Sequence, residues 1–349
     1  MKALFYTIGL IILILLACKK TNEPVSEPEK EQTEFASIKD IDEISVIAFG
    51  SCNDEDNPQP LWNDIIDMNP DLWIWLGDNI YGDSEDMNVM RQKYNKQNQV
   101  SDYRTMRTEV PILGIWDDHD FGKNNAGKEF SKKSESRDLM FEFLDIDESN
   151  AAWTREGAYQ SYSFGSIGKQ VMIILLDSRY FRDEPFFNPE DRDYTPNLEG
   201  TILGDTQWAW LEKELTNSTA DVHLIANGIQ VLHEDHRFEK WNNFPNERKR
   251  LLDMLTNLEV KNPILLSGDR HISEVARIEW QGKSIPEITS SGLTHSYENV
   301  GDEPNRYRVS KLVSEKSFGV LKINWSQPIV IQTELRGDGN IIFDSVQLN

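Results

Sequence analysis

The sequence is poor in cysteine and in basic residues, and both shortages narrow the choice of function. Only two cysteines occur in 349 residues, Cys18 and Cys52, so at most one internal disulfide can form. Lysine and arginine total 36 against 59 acidic residues, which gives a net charge of −23. Such a surface argues against nucleic acid as a partner, because phosphate backbones bind basic surfaces. It favours solubility and the binding of hard cations.

The chain has one long apolar run, and it lies at the N-terminus. Residues 3–16 follow Lys2 and form an apolar core of about 14 residues, shorter than the ~20 that span a bilayer. With the small residue before Cys18, this pattern predicts a signal peptide over residues 1–17. Leu-Leu-Ala-Cys resembles a bacterial lipobox, so we expect an exported lipoprotein anchored through a lipid on Cys18, facing the periplasm or the cell surface. An uncleaved membrane anchor is the alternative.

The segment after the apolar run is rich in proline and glutamate, and its composition predicts a flexible linker over residues 18–40. The remaining residues, 41–349, are enough for one large domain. If Cys18 carries lipid, Cys52 has no internal partner. A single thiol in an exported chain is a reactive group, an intermolecular bridge or a metal ligand.

Six apolar runs of strand length each end in a polar cluster: residues 44–50, 71–77, 111–117, 170–176, 222–228 and 262–268. Helical patterns between them, at 61–68, 134–144, 207–216 and 246–258, predict largely parallel sheet, in which ligands bind at the carboxyl ends of strands. After residue 275, closely spaced strand patterns without helices predict antiparallel strands that form or extend a second sheet. The expected fold class is α/β, a four-layer αββα sandwich of two mixed sheets.

The ends of the second and third strands carry carboxylates suited to metals. Asp78 and Tyr81 follow the second strand. An aspartate can bridge two ions, and a tyrosinate needs a strongly Lewis-acidic ion such as Fe(III). The alternative is a turn in which these two residues have no metal to bind. Residues 117–120 crowd three aspartates around His119, which is costly unless a cation neutralises them. His119 could be a ligand, a general acid or a stabiliser of charge.

The ends of the sixth and fourth strands combine acids with arginine. Asp269 and His271 are two positions apart and can reach one ion, while Arg270 could instead pair with Asp269. Arg179 suits bidentate binding of phosphate, with a structural salt bridge as the alternative. His223, His233 and His236 have no supporting spacing and are interpreted as structural or exposed. His295 ends a strand and could line the cleft, but a surface or core histidine is the preferred interpretation.

The chain lacks the motifs of several other enzyme classes. It contains no G-x-S-x-G elbow, no Walker loop and no dinucleotide fingerprint after a strand. A hydrolase with Cys52 as nucleophile and His119 or His271 as base stays open. The many acids around both histidines disfavour it.

Nine segments resemble, in order, the motifs of PhoD-like phosphatases (alkaline phosphatase D), within the wider metallophosphoesterases. They are FGSCND, PDLWIWLGDNIYGD, PILGIWDDHDFGKNNAG, LLDSRYFRD, ILGDTQWAWLEKEL, NGIQV, WNNFPNERKRLL, LLSGDRHISE and TSSGLTHS. The resemblance covers residues 44–343. It implies a metallophosphatase catalytic domain over residues 41–349 that acts on phosphomonoesters or phosphodiesters. The implied cofactors are Fe(III) and Ca²⁺, with other divalent metals as alternatives.

The family motifs also imply roles for single residues. Metal ligands are implied at Cys52, Asp78, Tyr81, Asp118, Asp269 and His271. His119 is implied to stabilise or protonate the leaving oxygen. Three choices stay open: Asp117 could replace Asp118, either Asn227 or Gln230 could take the place of a histidine of the wider group, and Asn124 could contact phosphate or metal.

The expected reaction is hydrolysis of a phosphoester by a metal-activated hydroxide. Arg179, Arg270 and Asn124 are the expected contacts of the substrate, and His119 acts at the leaving group. Two alternatives remain. One is a phosphodiesterase or phospholipase-like enzyme acting on lipid or polymer headgroups, and the other is a surface lipoprotein that binds a ligand without catalysis.

Overall fold

The computed structural model describes residues 34–297, 300–301 and 303–349. The expected signal peptide (1–17), the lipidation site Cys18 and most of the expected linker lie outside the described residues. Residues Phe35–Asn349 form one unit by their internal contacts. No helix among the described residues is both long and apolar enough to span a bilayer.

The described part of the chain forms fourteen strands and seven α-helices. The strands are β1 (Val46–Gly50), β2 (Leu72–Leu76), β3 (Ile112–Ile115), β4 (Gln160–Phe164), β5 (Val171–Leu175), β6 (Phe186–Asn188), β7 (Asp193–Thr195), β8 (Val222–Ala226), β9 (Pro263–Ser267), β10 (Ser273–Trp280), β11 (Lys283–Ser290), β12 (Phe318–Asn324), β13 (Val330–Gly337) and β14 (Ile341–Gln347). The helices are α1 (Trp62–Asp67), α2 (Met87–Gln99), α3 (Ser101–Glu109), α4 (Asp118–Phe121), α5 (Lys133–Phe143), α6 (Gly204–Asn217) and α7 (Pro245–Asn257).

Twelve of the strands build two mixed six-stranded sheets. Their orders are β14-β13-β12-β1-β2-β3 and β10-β11-β9-β8-β5-β4. Strands β1 to β3 run parallel, as do β5, β8, β9 and β11. The six predicted apolar strands are all present and divide equally between the sheets.

The C-terminal strands differ from the prediction, because they do not all belong to the second sheet. Strands β10 and β11 extend the second sheet, whereas β12 pairs antiparallel with β1 and brings β13 and β14 into the first. This pairing covers the edge of β1, which would otherwise present unpaired backbone groups. Both sheets are therefore mixed.

Alternating side chains of the strands place each sheet between two apolar layers. In β5, Val171 and Ile173 belong to the core that joins both sheets and the helices α1, α2, α3 and α5. Ile174 faces the other way and packs with Trp208 of α6 and Leu251 of α7. Strands buried on both faces need such continuous apolar runs. The predicted four-layer αββα class is confirmed.

Four aromatic rings fix the outer helices to the first sheet. Trp73 and Trp75 point to one face of β2 because their spacing is two. Trp62 of α1 contacts both, with ring centroids 5.3 and 5.4 Å apart, and Tyr103 of α3 lies 4.9 Å from Trp62. All four side chains are buried. The cluster holds β2 in place, and β2 leads directly to Asp78.

Replacing Trp62 with alanine should lower the free energy of unfolding by about 3–5 kcal/mol, because it removes the centre of this cluster and leaves a cavity. Urea denaturation measures the change. Ile167→Ala is the control, since that side chain is 91% exposed and its loss should cost less than about 0.5 kcal/mol. Equal stability of the two variants would show that the cluster does not hold the helices.

Candidate active site

The carboxyl ends of strands from both sheets meet at one cavity of about 260 Å³. Seven residues predicted for the site line it: Asp78, Asp118, His119, Asn124, Asp269, Arg270 and His271. They come from the loops after β2, β3 and β9. A larger cavity of about 500 Å³ lies beside residues 35–39 and contains none of the predicted ligands, so the smaller one is the candidate site.

Thiol, phenol, carboxylate and imidazole groups converge at one side of this cavity. The Cys52 Sγ lies 3.3 Å from Asp78 Oδ2, and the Tyr81 hydroxyl also donates to Asp78 Oδ2 at 3.3 Å. The same hydroxyl lies 3.1 Å from His271 Nε2. Cys52, Asp78 and His271 each offer a ligand atom within 4.8 Å of the others. These four residues could hold one metal ion between them.

Two further groups of ligand atoms continue from the first. One combines Asp78, Asp118 and His119, and the other combines Asp117, Asp118 and Asp269. Because Asp78 and Asp118 each belong to two groups, the three groups form one continuous row. Such shared carboxylates can bridge neighbouring cations.

Asp117 and Asp118 both reach this row, so the choice between them stays open. Asp117 is buried, and its Oδ1 accepts a hydrogen bond from Arg179 Nε at 2.7 Å, while its Oδ2 has no hydrogen-bond partner among the described residues. Asp118 accepts from the backbone N–H groups of His119 and Asn125, at 3.0 and 2.6 Å. A buried carboxylate oxygen without a donor is well placed to bind a cation.

Arg179 and Arg270 occupy different places. Arg179 is fully buried outside the cavity wall, between Asp117 and Glu239, whose Oε2 lies 2.6 Å from the guanidinium. Arg270 lines the cavity, stacks over Phe238 at 4.3 Å and donates to Glu303 at 2.6 Å. The structure therefore brings Arg270 to the cavity and buries Arg179 behind it.

His119 forms part of the cavity wall, and its side chain is 19% exposed. Its Nδ1 lies 2.7 Å from Asp83 Oδ2, and Asp83 Oδ1 accepts from the backbone N–H of Asn124 at 3.1 Å. Burial disfavours the charged imidazole, but the hydrogen bond to Asp83 and nearby carboxylates outweigh it and raise the pKa of His119 to about 10. Asp83 thus fixes the ring and the loop of Asn124 together.

Asn227 and Gln230 do not line the cavity. Asn227 accepts a hydrogen bond from the Trp241 indole at 2.8 Å. Gln230 donates to Glu274 at 2.9 Å and to Thr289 at 2.8 Å. Both amides are used by the protein core.

Two ring side chains that were not predicted for the site lie beside the predicted ligands: His295, for which a surface or core position was the preferred interpretation, and Tyr297, which was not considered. His295 lies 4.4 Å from the ring of His271 and 5.0 Å from that of Tyr81, and Tyr297 lies 4.7 Å from His271. Both follow β11, another apolar strand that ends in polar residues. The strand-end signal was present for His295, and the same signal could have found Tyr297.

The cavity strongly disfavours charge without a cation. Burial, and then the neighbouring Asp78 carboxylate, raise the pKa of the Cys52 thiol. Burial and then Asp118 raise the pKa of Asp78 in turn. Burial and then His295 lower the pKa of His271 to about 3. A bound metal ion favours the thiolate, the carboxylate and the neutral imidazole, so these residues fit a metal site.

Two glycines allow loops of the second sheet to reach those of the first. A Cβ on Gly228 would lie 2.1 Å from Asp117 Oδ1, and one on Gly268 would lie 2.6 Å from the backbone oxygen of Leu76. The backbone N–H of Gly268 donates to Gly228 at 2.8 Å. A side chain at position 228 would push against Asp117, and one at position 268 would push the loop that carries Asp269 away from the loops after β1 and β2.

The two sheets and the row of ligand atoms define a metallophosphoesterase-like protein. Residues 47–317 match the PhoD-like phosphatase family, and the chain belongs to this family. The family predicted from the motifs is confirmed. Alkaline phosphatase D of Bacillus subtilis is 24% identical over 298 residues, covering 73% of this chain and 50% of the relative. The chain thus spans about half the length of that curated relative.

Solved structures share the fold at low sequence identity. The structure of PhoD has a TM-score of 0.71 at 16% identity, over 90% of this chain and 71% of the other. A dimetal phosphatase from Danio rerio has a TM-score of 0.56 at 12% identity, over 88% and 99%. GAP50, described as the anchor in the inner membrane complex of Plasmodium, has a TM-score of 0.57 at 14% identity, over 88% and 89%.

The Gly228→Ala variant should bind less metal, because the new Cβ pushes Asp117 out of the row of ligand atoms. Overpacking of this kind also costs about 1–3 kcal/mol of stability. Gly168→Ala is the control: its φ of +90° strains the backbone, but no atom lies within 4 Å of the added Cβ. Elemental analysis of both variants should show loss of metal in the first alone, and equal metal contents would contradict the proposed contact.

Proposed function

We propose that this protein hydrolyses phosphoesters at the cavity that contains Asp78, Asp118, His119, Asp269 and His271. The observation that carries the proposal is the continuous row of ligand atoms beside a histidine that faces the same cavity. Crowded carboxylates of this kind need cations. The cavity also contains a guanidinium, Arg270, suited to phosphoryl oxygens.

The donor atoms differ along the row, which suggests different metals at its two ends. Cys52, Tyr81 and His271 supply sulfur, phenol oxygen and nitrogen, a set that suits iron, and we propose Fe(III) there. Asp118 and Asp269 supply carboxylate oxygens, which suit a hard cation such as Ca²⁺. Ions bound at such sites lower the pKa of water and neutralise phosphoryl charge.

The chain's own residues have separate proposed tasks. Arg270 and Asn124 bind the non-bridging oxygens from the cavity wall. His119 holds a proton for the leaving oxygen, while Asp83 at its Nδ1 fixes the orientation of the ring. Arg179 acts from behind the wall, because its ion pair with Asp117 orients that carboxylate.

We further propose that the protein is exported and anchored by lipid on Cys18, and that it acts on phosphomonoesters or phosphodiesters. The sharpest rival is a protein of this fold without catalysis, since GAP50 is described as an anchor. The fold alone does not distinguish the two. The ligand groups, together with His119 in the same cavity, favour hydrolysis.

Replacing His119 with alanine should lower the turnover of phenyl phosphate by about 10²- to 10⁴-fold, the usual contribution of a general acid. The loss should be smaller for 4-nitrophenyl phosphate, because its leaving group needs little protonation. Steady-state kinetics on both substrates, with the metal content measured in parallel, tests this role.

A histidine distant from the cavity provides the matched control. His223 lies in β8, where its ring contacts Ser218 and the backbone of Lys261, so His223→Gln should retain turnover. Unchanged turnover in His119→Ala would reject the assignment of the acid. Absence of turnover in the metal-loaded wild-type protein, for monoesters and diesters alike, would reject the proposed function.

The two cysteines should separate metal binding from anchoring. Cys52→Ser should lose bound iron and any visible colour from thiolate or tyrosinate on Fe(III), yet keep its lipid. Cys18→Ser should keep the metal and lose the lipid. Elemental analysis, visible spectra and mass spectrometry of the N-terminal peptide measure these outcomes. A Cys52→Ser protein with a full complement of iron would exclude the thiolate as a ligand.

A further inference from the structure

The mouth of the candidate active site differs in chemistry from its floor. The floor carries the ligand types already described. The mouth is lined by aromatic and arginine side chains: Phe187, Arg192, Tyr194, Arg237, Phe238 and Tyr297. Three of these belong to the β6–β7 hairpin, which is separate from both large sheets. The family resemblance and the metal row assign no role to this part of the cavity.

Two arginines at the mouth have no acidic partner among the residues that the structure describes, although the chain carries a net charge of −23. Arg192 and Arg237 are both exposed. No ion pair or hydrogen bond to a described residue involves the Arg192 side chain, and the contact of Arg237 is with the ring of Phe238 at 5.6 Å. By contrast, Arg270 is already paired with Glu303. Free guanidinium groups beside a cavity attract and bind anions.

Aromatic pairs flank these cations. Phe187 and Tyr194 contact each other edge to face at 5.2 Å, and Phe238 and Tyr297 stack at 6.4 Å with an interplanar angle of 24°. Phe187 is 51% exposed and Tyr297 is 43% exposed. Exposed rings grouped at the mouth of a cavity mark a surface that contacts a ligand.

We propose that Arg192 and Arg237 form a second anion subsite, which selects phosphoesters whose leaving group carries a planar ring and a negative charge of its own. The proposal rests on the proposed function, because it places the scissile phosphate on the floor. The aromatic pairs contact the planar ring, and the two arginines bind the second anion. The cavity of about 260 Å³ is slightly smaller than the usual small-molecule site of about 300–1,000 Å³, so it suits a small ligand.

The test compares two probes that differ in one charge. These are 4-carboxybenzylphosphonate and the compound in which its carboxylate is a methyl ester. Neither can be hydrolysed at the P–C bond. Calorimetry on the metal-loaded protein should show that the carboxylate binds about tenfold more tightly, the effect of two partly solvated charge-assisted contacts. In the Arg192→Gln/Arg237→Gln double variant, the ratio of the two dissociation constants should fall to about one.

Arg250→Gln is the matched control. Arg250 lies on α7, away from this cavity, where it is also exposed and its guanidinium lies over the ring of Trp208 of α6. Its replacement should leave the ratio at the wild-type value. A wild-type protein that binds neither probe or shows no preference overturns the subsite. So does an equal loss of preference in Arg250→Gln, because the effect would then reflect net charge alone.

Turnover of the matching aryl phosphates separates this inference from the proposed function. The substrates are 4-carboxyphenyl phosphate and the phosphate in which the carboxylate is a methyl ester. Hydrolysis of both with the same ratio of kcat/KM in the wild-type protein and in the double variant would overturn the subsite and leave the hydrolase intact, because that ratio would then reflect leaving-group chemistry alone. Hydrolysis of neither, with the phosphonate preference present in the wild-type protein and lost in the double variant, would reject the hydrolase and support the subsite.

Discussion

Burial of several carboxylates close together is the constraint on which the site depends. Asp78, Asp117, Asp118 and Asp120 are all buried within two neighbouring loops. Burial raises the pKa of Asp120 to about 8 and that of Asp117 to about 6. The protein stabilises part of this charge itself: Asp120 accepts three backbone hydrogen bonds, and Asp117 is paired with Arg179. Asp78 is paired with no arginine or lysine among the described residues, and although His119 lies near it, burial and then Asp118 still raise the pKa of this carboxyl. A metal ion would stabilise its charge.

The fold meets this constraint by joining the ends of two sheets. Ser51, directly after β1, donates to the backbone of Ser290 at the end of β11, and Gly292 donates back to Ser51. The loops after β1 and β2 are joined as well, since the N–H of Asn53 donates to the backbone oxygen of Asp78 at 2.9 Å. Ligands from distant parts of the chain thus lie on loops that hydrogen bonds join to one another, which limits their movement when a cation binds.

The residues at the ends of the strands could be predicted from the sequence, whereas the contacts between distant segments of the chain could not. Strands that end in acids and histidines identified Asp118, His119 and His271, because residue type and position suffice there. Arg179 has the same local signal, but whether it faces substrate or a carboxylate depends on Asp117, 62 positions away. The pairing of β12 with β1 is likewise non-local, since hydrophobic alternation marks a strand without naming its neighbour. His295 also ends a strand, but its contacts with the rings of His271 and Tyr81 are non-local, so the sequence could not distinguish it from a surface or core histidine.

Four candidate metal ligands have a backbone conformation that is unfavourable for their residue types. Cys52, Asp78, Asp269 and His271 all have positive φ angles, between 49° and 65°. A residue other than glycine in this region costs of order 1–3 kcal/mol and persists where the surrounding structure enforces it. Glycine would relieve the strain at each position, but it would remove a sulfur, oxygen or nitrogen donor. Asparagine and aspartate tolerate this conformation better than other residues, so Cys52 and His271 are the more informative cases. Their side chains are retained at a cost to stability, which is the pattern expected of ligands rather than of residues that only fill the core.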